Sequence, residues 1–97
     1  MHIEEVQKEA WGTAEEKGFH DARNNDAPTV LALIHSEVSE ALEAHREEEL
    51  GEFGEELADI IIRVGDLAES ENVDLQSEVE RKMEKNRERE KPHGKNY

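Results

Sequence analysis

Acidic residues lie on the predicted core-facing sides of two helices, and this feature constrains the fold of the chain more than any other. They form two pairs, Glu37/Glu40 within residues 31–44 and Glu56/Asp59 within residues 53–67. On a helical wheel, Glu37 lies in the middle of an apolar stripe and Glu56 borders one, whereas Asp59 is turned further away. A carboxylate on such a face must be paired or must bind a metal, because burying it alone is costly or forces it to take up a proton. The two pairs therefore predict a cation site between neighbouring helices.

The composition predicts an all-α protein. The chain has 97 residues, of which 34% are hydrophobic, only 4% are aromatic and 39% are charged, which is typical of polar helices rather than of a β-sandwich. This length suits a single domain, residues 1–97, and a monomer of this size buries only about 60 to 65% of its unfolded surface. We therefore expect a four-helix bundle that is completed by oligomerisation.

The charge and the residue usage exclude several classes of function. A formal net charge of −14 would repel the phosphate backbone of a nucleic acid polymer, and an anionic substrate would need divalent cations beside it. The chain has no cysteine, so it can form neither a disulfide nor a thiolate zinc site. No apolar run reaches the length of a membrane span and no signal-peptide pattern is present, so we expect a cytoplasmic protein without membrane contact.

The periodicity of apolar residues predicts four helices. They run from residue 3 to 16, from about 28 to 48, from 53 to about 72, and from a cap at Asp74 to a stop before Pro92.

The sequence also predicts a cap, a helix boundary and an exposed residue. Asp26 or Thr29 can cap the second helix, whose first turn contains a proline. Gly51 and Gly54 mark either a break or a loose first turn before the third helix. Ile62 lies opposite the apolar face of the third helix, which indicates a second contact surface, although single exposed isoleucines are also common.

Each acidic pair has the spacing of two residues that share one helix face. Residues at i and i+3 have neighbouring Cβ atoms, and antiparallel packing of the two helices at about 8 to 10 Å would bring the pairs together. Oxygen ligands without Cys or a placed His favour Mg²⁺ or Mn²⁺ over zinc. The alternative to a metal site is that the spacing of these pairs arose by chance. The chain has 26 acidic residues, and the same spacing recurs outside any apolar stripe, as in Glu52/Glu55. A di-iron site is disfavoured, since the one Glu-x-x-His spacing, Glu90 to His93, is interrupted by a proline.

Two segments carry a resemblance to a known family. The runs LALIHSEVSEALEA at residues 31–44 and EELADIIIRV at residues 55–64 resemble the MazG-like all-α nucleoside triphosphate pyrophosphohydrolases, and the resemblance extends over nearly the whole chain. It implies a Mg²⁺-dependent enzyme, a homodimer or homotetramer, that cleaves a nucleoside triphosphate into a monophosphate and pyrophosphate. Many members have two adjacent glutamates in the first motif, and here Ser36 takes the first of those positions.

The resemblance also implies roles for individual residues. It assigns metal binding to Glu37, Glu40, Glu56 and Asp59, and catalysis to Glu37 and Glu40, with Glu40 as our candidate for the general base and Glu37 as the alternative. Arg63, one turn after Asp59, is equally consistent with an ion-pair partner of the acidic residues and with a substrate ligand.

Substrate-binding residues are predicted at both ends of the chain. Lys82, Asn86 and Arg89 share one side of the fourth helix and Lys95 follows in the tail; these residues would bind phosphates and sugar. The alternative is a solvated basic stripe in which Lys82 pairs with Glu78, and only the resemblance favours the first interpretation.

The sequence contains a single tryptophan, Trp11. Trp11 would stack on the base with His20, or would instead belong to the core.

One alternative function is a non-catalytic helical adaptor, and another is a related hydrolase such as a dUTPase or a phosphoribosyl-ATP pyrophosphohydrolase. The base and sugar preference and the number of ions do not follow from the sequence.

Overall fold

The computed structural model describes residues 2–21 and 26–89, and within these residues it contains helices and no strand. The helices are α1 (Ile3–Glu16), α2 (Ala27–Arg46), α3 (Leu50–Ser70) and α4 (Leu75–Glu88), with a short 3-10 helix at Phe19–Asp21 after α1. The predicted all-α class and the number of long helices are confirmed.

The helix ends follow local capping chemistry. Asp26 caps α2, since its side chain accepts a hydrogen bond from the Thr29 amide at 3.0 Å, and Asp74 caps α4 through the Ser77 amide at 3.1 Å. The third helix begins at Leu50, three residues earlier than predicted, so that the two glycines near its start lie inside its first turns. A glycine costs a helix only about 1 kcal/mol, which the packing of α3 can offset.

Three helices form the packed part of the molecule. Helices α2 and α3 are joined by three residues and pack against each other, while α1 packs on α3. The buried apolar residues are small: Ala14 on α1, Val30, Ala41 and Ala44 on α2, and Ala68 on α3. Helices with small residues at the contact can approach closely, and this core is correspondingly thin.

A buried glutamine joins α1 to the start of α4. The Gln7 side-chain nitrogen donates to Glu69 Oε1 at 2.9 Å and to the Val73 carbonyl at 2.8 Å, and its oxygen accepts from the Leu75 amide at 3.2 Å. Because every polar atom of this buried amide has a partner, the contact fixes the position at which α4 begins. Helix α4 itself has no buried residue, and Met83 is 58% exposed.

Large apolar side chains remain at the surface of α2 and α3. Leu31, Val38 and Leu42 share one side of α2 and are each about half exposed, as are Leu57 and Ile61, one turn apart on α3. Ile62 is also 49% exposed, as its place on the helical wheel predicted. No helix in the described part of the chain is long and apolar enough to cross a membrane.

Candidate metal centre

Three of the four predicted carboxylates converge in the structure. One oxygen each from Glu37 on α2 and from Glu56 and Asp59 on α3 lie within 4.8 Å of one another. Glu37 and Glu56 are half-buried, and Asp59 is exposed. The contact of α2 with α3 brings Glu37 to Glu56 and Asp59, which follow it by 19 and 22 residues in the chain. We call these three residues the acidic triad.

Glu40 lies beside the acidic triad rather than within it. It lines a cleft of about 200 Å³ whose other acidic residues are Glu43, Glu47, Glu52 and Glu56. The negative charge of Glu40 nevertheless contributes to the raised pKa of Glu56. Glu56 therefore belongs both to the acidic triad and to the lining of this cleft.

Glu56 is partly buried among other carboxylates, which disfavours its charged form. Burial, followed by contact with the Glu37 carboxylate and by the charges of Glu40, Glu37 and Asp59, raises the pKa of Glu56 to about 7. Its Oε1 is buried and has no hydrogen-bond partner within the described residues. A buried acceptor without a donor, among three other carboxylates, is what a hard divalent cation with oxygen ligands would satisfy. The acidic triad therefore fits Mg²⁺ or Mn²⁺ in its donor set.

Arg63 supplies a positive charge at the edge of the acidic triad. Its Nε donates to Glu37 Oε1 at 3.0 Å, and the side chains of Arg63 and Glu37 are 40% and 14% exposed. Arg63, Glu37 and Asp59 line a cleft of about 250 Å³ between α1 and α3, which Asp66 also lines. We call this space the α1–α3 cleft.

A histidine binds Asp66, one of the residues that line the α1–α3 cleft. The His20 ring bridges Glu15 Oε1 and Asp66 Oδ1, both at 2.7 Å, and Trp11 stacks on it with ring centroids 4.8 Å apart. Burial alone would lower the pKa of His20, but the hydrogen bonds and charges of the two carboxylates outweigh it and the pKa is raised.

The bridge from His20 to Asp66 was not anticipated from the sequence. Asp66 follows Asp59 and Arg63 at i+7 and i+3, so the three residues share a face of α3. That spacing indicates that the three residues line the same side of a cleft. It does not reveal that the residue opposite Asp66 comes from the segment after α1.

The predicted substrate ligands of α4 do not line the α1–α3 cleft or the cleft beside Glu40. Lys82 and Arg89 are exposed, and Asn86 is half-buried with an Oδ1 that has no hydrogen-bond partner among the described residues. Glu78 pairs with Arg81 rather than with Lys82. Lys95 lies outside the described residues.

Comparison with known families agrees with this geometry. A sequence model of the MazG nucleotide pyrophosphohydrolase domain matches residues 26–94, which include α2, α3, α4 and every residue of the acidic triad. Comparison with curated proteins and with solved structures found no match. Since the matched region covers more than half of the chain, this protein belongs to the MazG family of nucleotide pyrophosphohydrolases.

Proposed function

We propose that the protein is a Mg²⁺-dependent nucleoside triphosphate pyrophosphohydrolase. It would convert a nucleoside or deoxynucleoside triphosphate into the monophosphate and pyrophosphate, as a cytoplasmic house-cleaning enzyme of the nucleotide pool. The observation that carries the proposal is the convergence of Glu37, Glu56 and Asp59 in a chain that belongs to this family.

The acidic triad would hold the divalent ion, with Glu40 added from the next turn of α2. When bound, such an ion would neutralise phosphate charge and lower the pKa of a water molecule placed for in-line attack on phosphorus. A carboxylate that is not fully committed to the ion would accept the proton of that water. Glu40 is our candidate because its oxygens lie outside the acidic triad, and Glu37 is the alternative.

The substrate-binding roles of Lys82, Asn86, Arg89, Lys95 and Trp11 are part of the same proposal. Since none of the three described α4 residues lines the clefts beside the acidic triad of its own chain, we place them against the site of a second copy. The half-exposed apolar residues of α2 and α3 supply surface that a homodimer or homotetramer would bury.

The test is pyrophosphate release from a panel of substrates. Each canonical ribo- and deoxyribonucleoside triphosphate, dUTP and phosphoribosyl-ATP is incubated with the protein and Mg²⁺, and pyrophosphate is distinguished from orthophosphate. Glu37→Gln and Glu56→Gln should lower turnover at least about 100-fold, since each removes a ligand charge. Glu55→Gln is the matched control, because it removes the same charge from an exposed neighbour of Glu56 and should retain activity. Full turnover in Glu56→Gln would contradict the proposed site.

The exposed apolar faces also suit the second candidate, a non-catalytic adaptor that binds a partner helix. An adaptor would release no pyrophosphate from any member of the panel. Its melting temperature would also be insensitive to Mg²⁺, whereas a specific ligand of the folded state raises it.

A further inference from the structure

The ion pair between Arg63 and Glu37 uses only one of the three guanidinium nitrogens of Arg63. Only Nε donates to the carboxylate, at 3.0 Å. Neither terminal nitrogen of Arg63 has a hydrogen-bond partner among residues 2–21 and 26–89, although a guanidinium can form two parallel bonds to a carboxylate or a phosphate. Four N–H groups of Arg63 are therefore available to a ligand.

The same ion pair competes with any cation at the acidic triad. A guanidinium 3.0 Å from Glu37 Oε1 occupies one of the two carboxylate oxygens of a member of the acidic triad, and it repels a second positive charge. The Arg63 side chain is 40% exposed, whereas that of Glu37 is 14% exposed, so solvent screens the pair on the arginine side and Arg63 can move away while Glu37 stays in place. Occupation of the acidic triad should therefore displace Arg63 from Glu37.

A displaced Arg63 has a suitable second partner nearby. Its side chain lines the α1–α3 cleft together with Glu37, Asp59 and Asp66, and it is the one Lys or Arg among the described residues that line this cleft. A triphosphate that approaches an ion at the acidic triad through this cleft meets Arg63 on a wall whose other charged groups are carboxylates. An arginine is the side chain best suited to bind phosphate oxygens in pairs.

We infer that Arg63 is a substrate-binding residue that exchanges partners, holding Glu37 in the ligand-free protein and the triphosphate of the substrate once a divalent ion occupies the acidic triad. This inference rests on the proposed function. It assigns to Arg63 two effects of opposite sign: Arg63 weakens the binding of the ion alone and strengthens the binding of the nucleotide.

The test measures the two affinities separately. Mn²⁺ binding to the full-length protein without nucleotide is followed by electron paramagnetic resonance. Binding of the four deoxynucleoside triphosphate analogues with an imido bridge between the α and β phosphates is followed calorimetrically in saturating Mn²⁺. Arg63→Gln should bind Mn²⁺ about two- to fivefold more tightly and the analogues about 10- to 100-fold more weakly. Arg63→Lys, which keeps the charge, should recover part of the analogue affinity, and Arg81→Gln, a charge-matched exposed control on α4, should change neither affinity.

The outcomes distinguish a failure of this inference from a failure of the proposed function. If Arg63 only braced Glu37, Arg63→Gln would weaken Mn²⁺ binding, and that result or an unchanged analogue affinity would overturn the exchange. Wild-type protein that binds no Mn²⁺, or that binds it equally well as Glu56→Gln, would overturn the proposed metal centre and the exchange together. Should Arg63→Gln fail to fold by circular dichroism, Arg63→Lys decides the question, because loss of the paired geometry should still weaken analogue binding.

Discussion

Replacing Gly65 by alanine should push α1 away from α3. A Cβ built on Gly65 would lie 3.2 Å from Gln7 Cα and 3.5 Å from both the Gln7 nitrogen and the Val6 carbonyl oxygen. All three atoms belong to the backbone of α1, so no side-chain rotation relieves the contact. Overpacking of this kind costs about 1 to 3 kcal/mol.

The same substitution also has a favourable part, which a second glycine on α3 isolates. Alanine improves helix propensity by about 1 kcal/mol wherever it replaces a helical glycine, and a Cβ on Gly54 would meet nothing within 4 Å. Gly54→Ala should therefore stabilise the protein by up to about 1 kcal/mol, and Gly65→Ala should be less stable than Gly54→Ala by about 1 to 3 kcal/mol. Propensity cancels in that difference, which leaves the cost of the helix contact.

The assay is urea unfolding followed by circular dichroism, at one protein concentration so that association is held constant. For a domain of this size, a difference of 1 kcal/mol shifts the melting temperature by about 4 to 8 °C, so thermal unfolding gives a second reading. Equal stability of Gly65→Ala and Gly54→Ala would refute the close approach of α1 and α3.

Four further predictions concern the linkage of α4, the acidic triad and association. Gln7→Leu should cost about 1 to 3 kcal/mol, because it leaves the Val73 carbonyl and the amide at the start of α4 unpaired; urea unfolding measures the loss. Because the pKa of Glu56 is raised from 4.5 to about 7, the unfolding free energy of the metal-free protein should fall as pH rises through this window, and Glu56→Gln should abolish that part of the slope. Below pH 7, protons compete with Mn²⁺ for the Glu56 carboxylate. The apparent Mn²⁺ affinity of the wild type should therefore fall about tenfold for each unit by which the pH is lowered. Leu42→Lys should shift sedimentation velocity toward the monomer, whereas the charge-matched Glu43→Gln should not, and association unchanged in both variants would exclude the α2 face as the contact.

The sequence alone determined the helices and their caps, because these depend on residues that are near neighbours in the chain. Apolar spacing placed α1 at the observed residues and Asp74 at the start of α4, and it left Asp26 or Thr29 as the cap of α2, of which the structure selects Asp26. The position of Glu37 within an apolar stripe was equally local, and it indicated that this carboxylate would need a partner.

Only the tertiary structure decided which partner each charged group meets. The contact of α2 with α3 places Glu37 beside Arg63 and leaves Glu40 outside the acidic triad, and the segment after α1 brings His20 to Asp66. These pairings depend on the rotation and offset of packed helices, which small contacts such as that between Gly65 and α1 set. The periodicity of one helix contains no information on its offset from another, so the sequence predicted the carboxylates of the site, whereas the packing selected the three that converge.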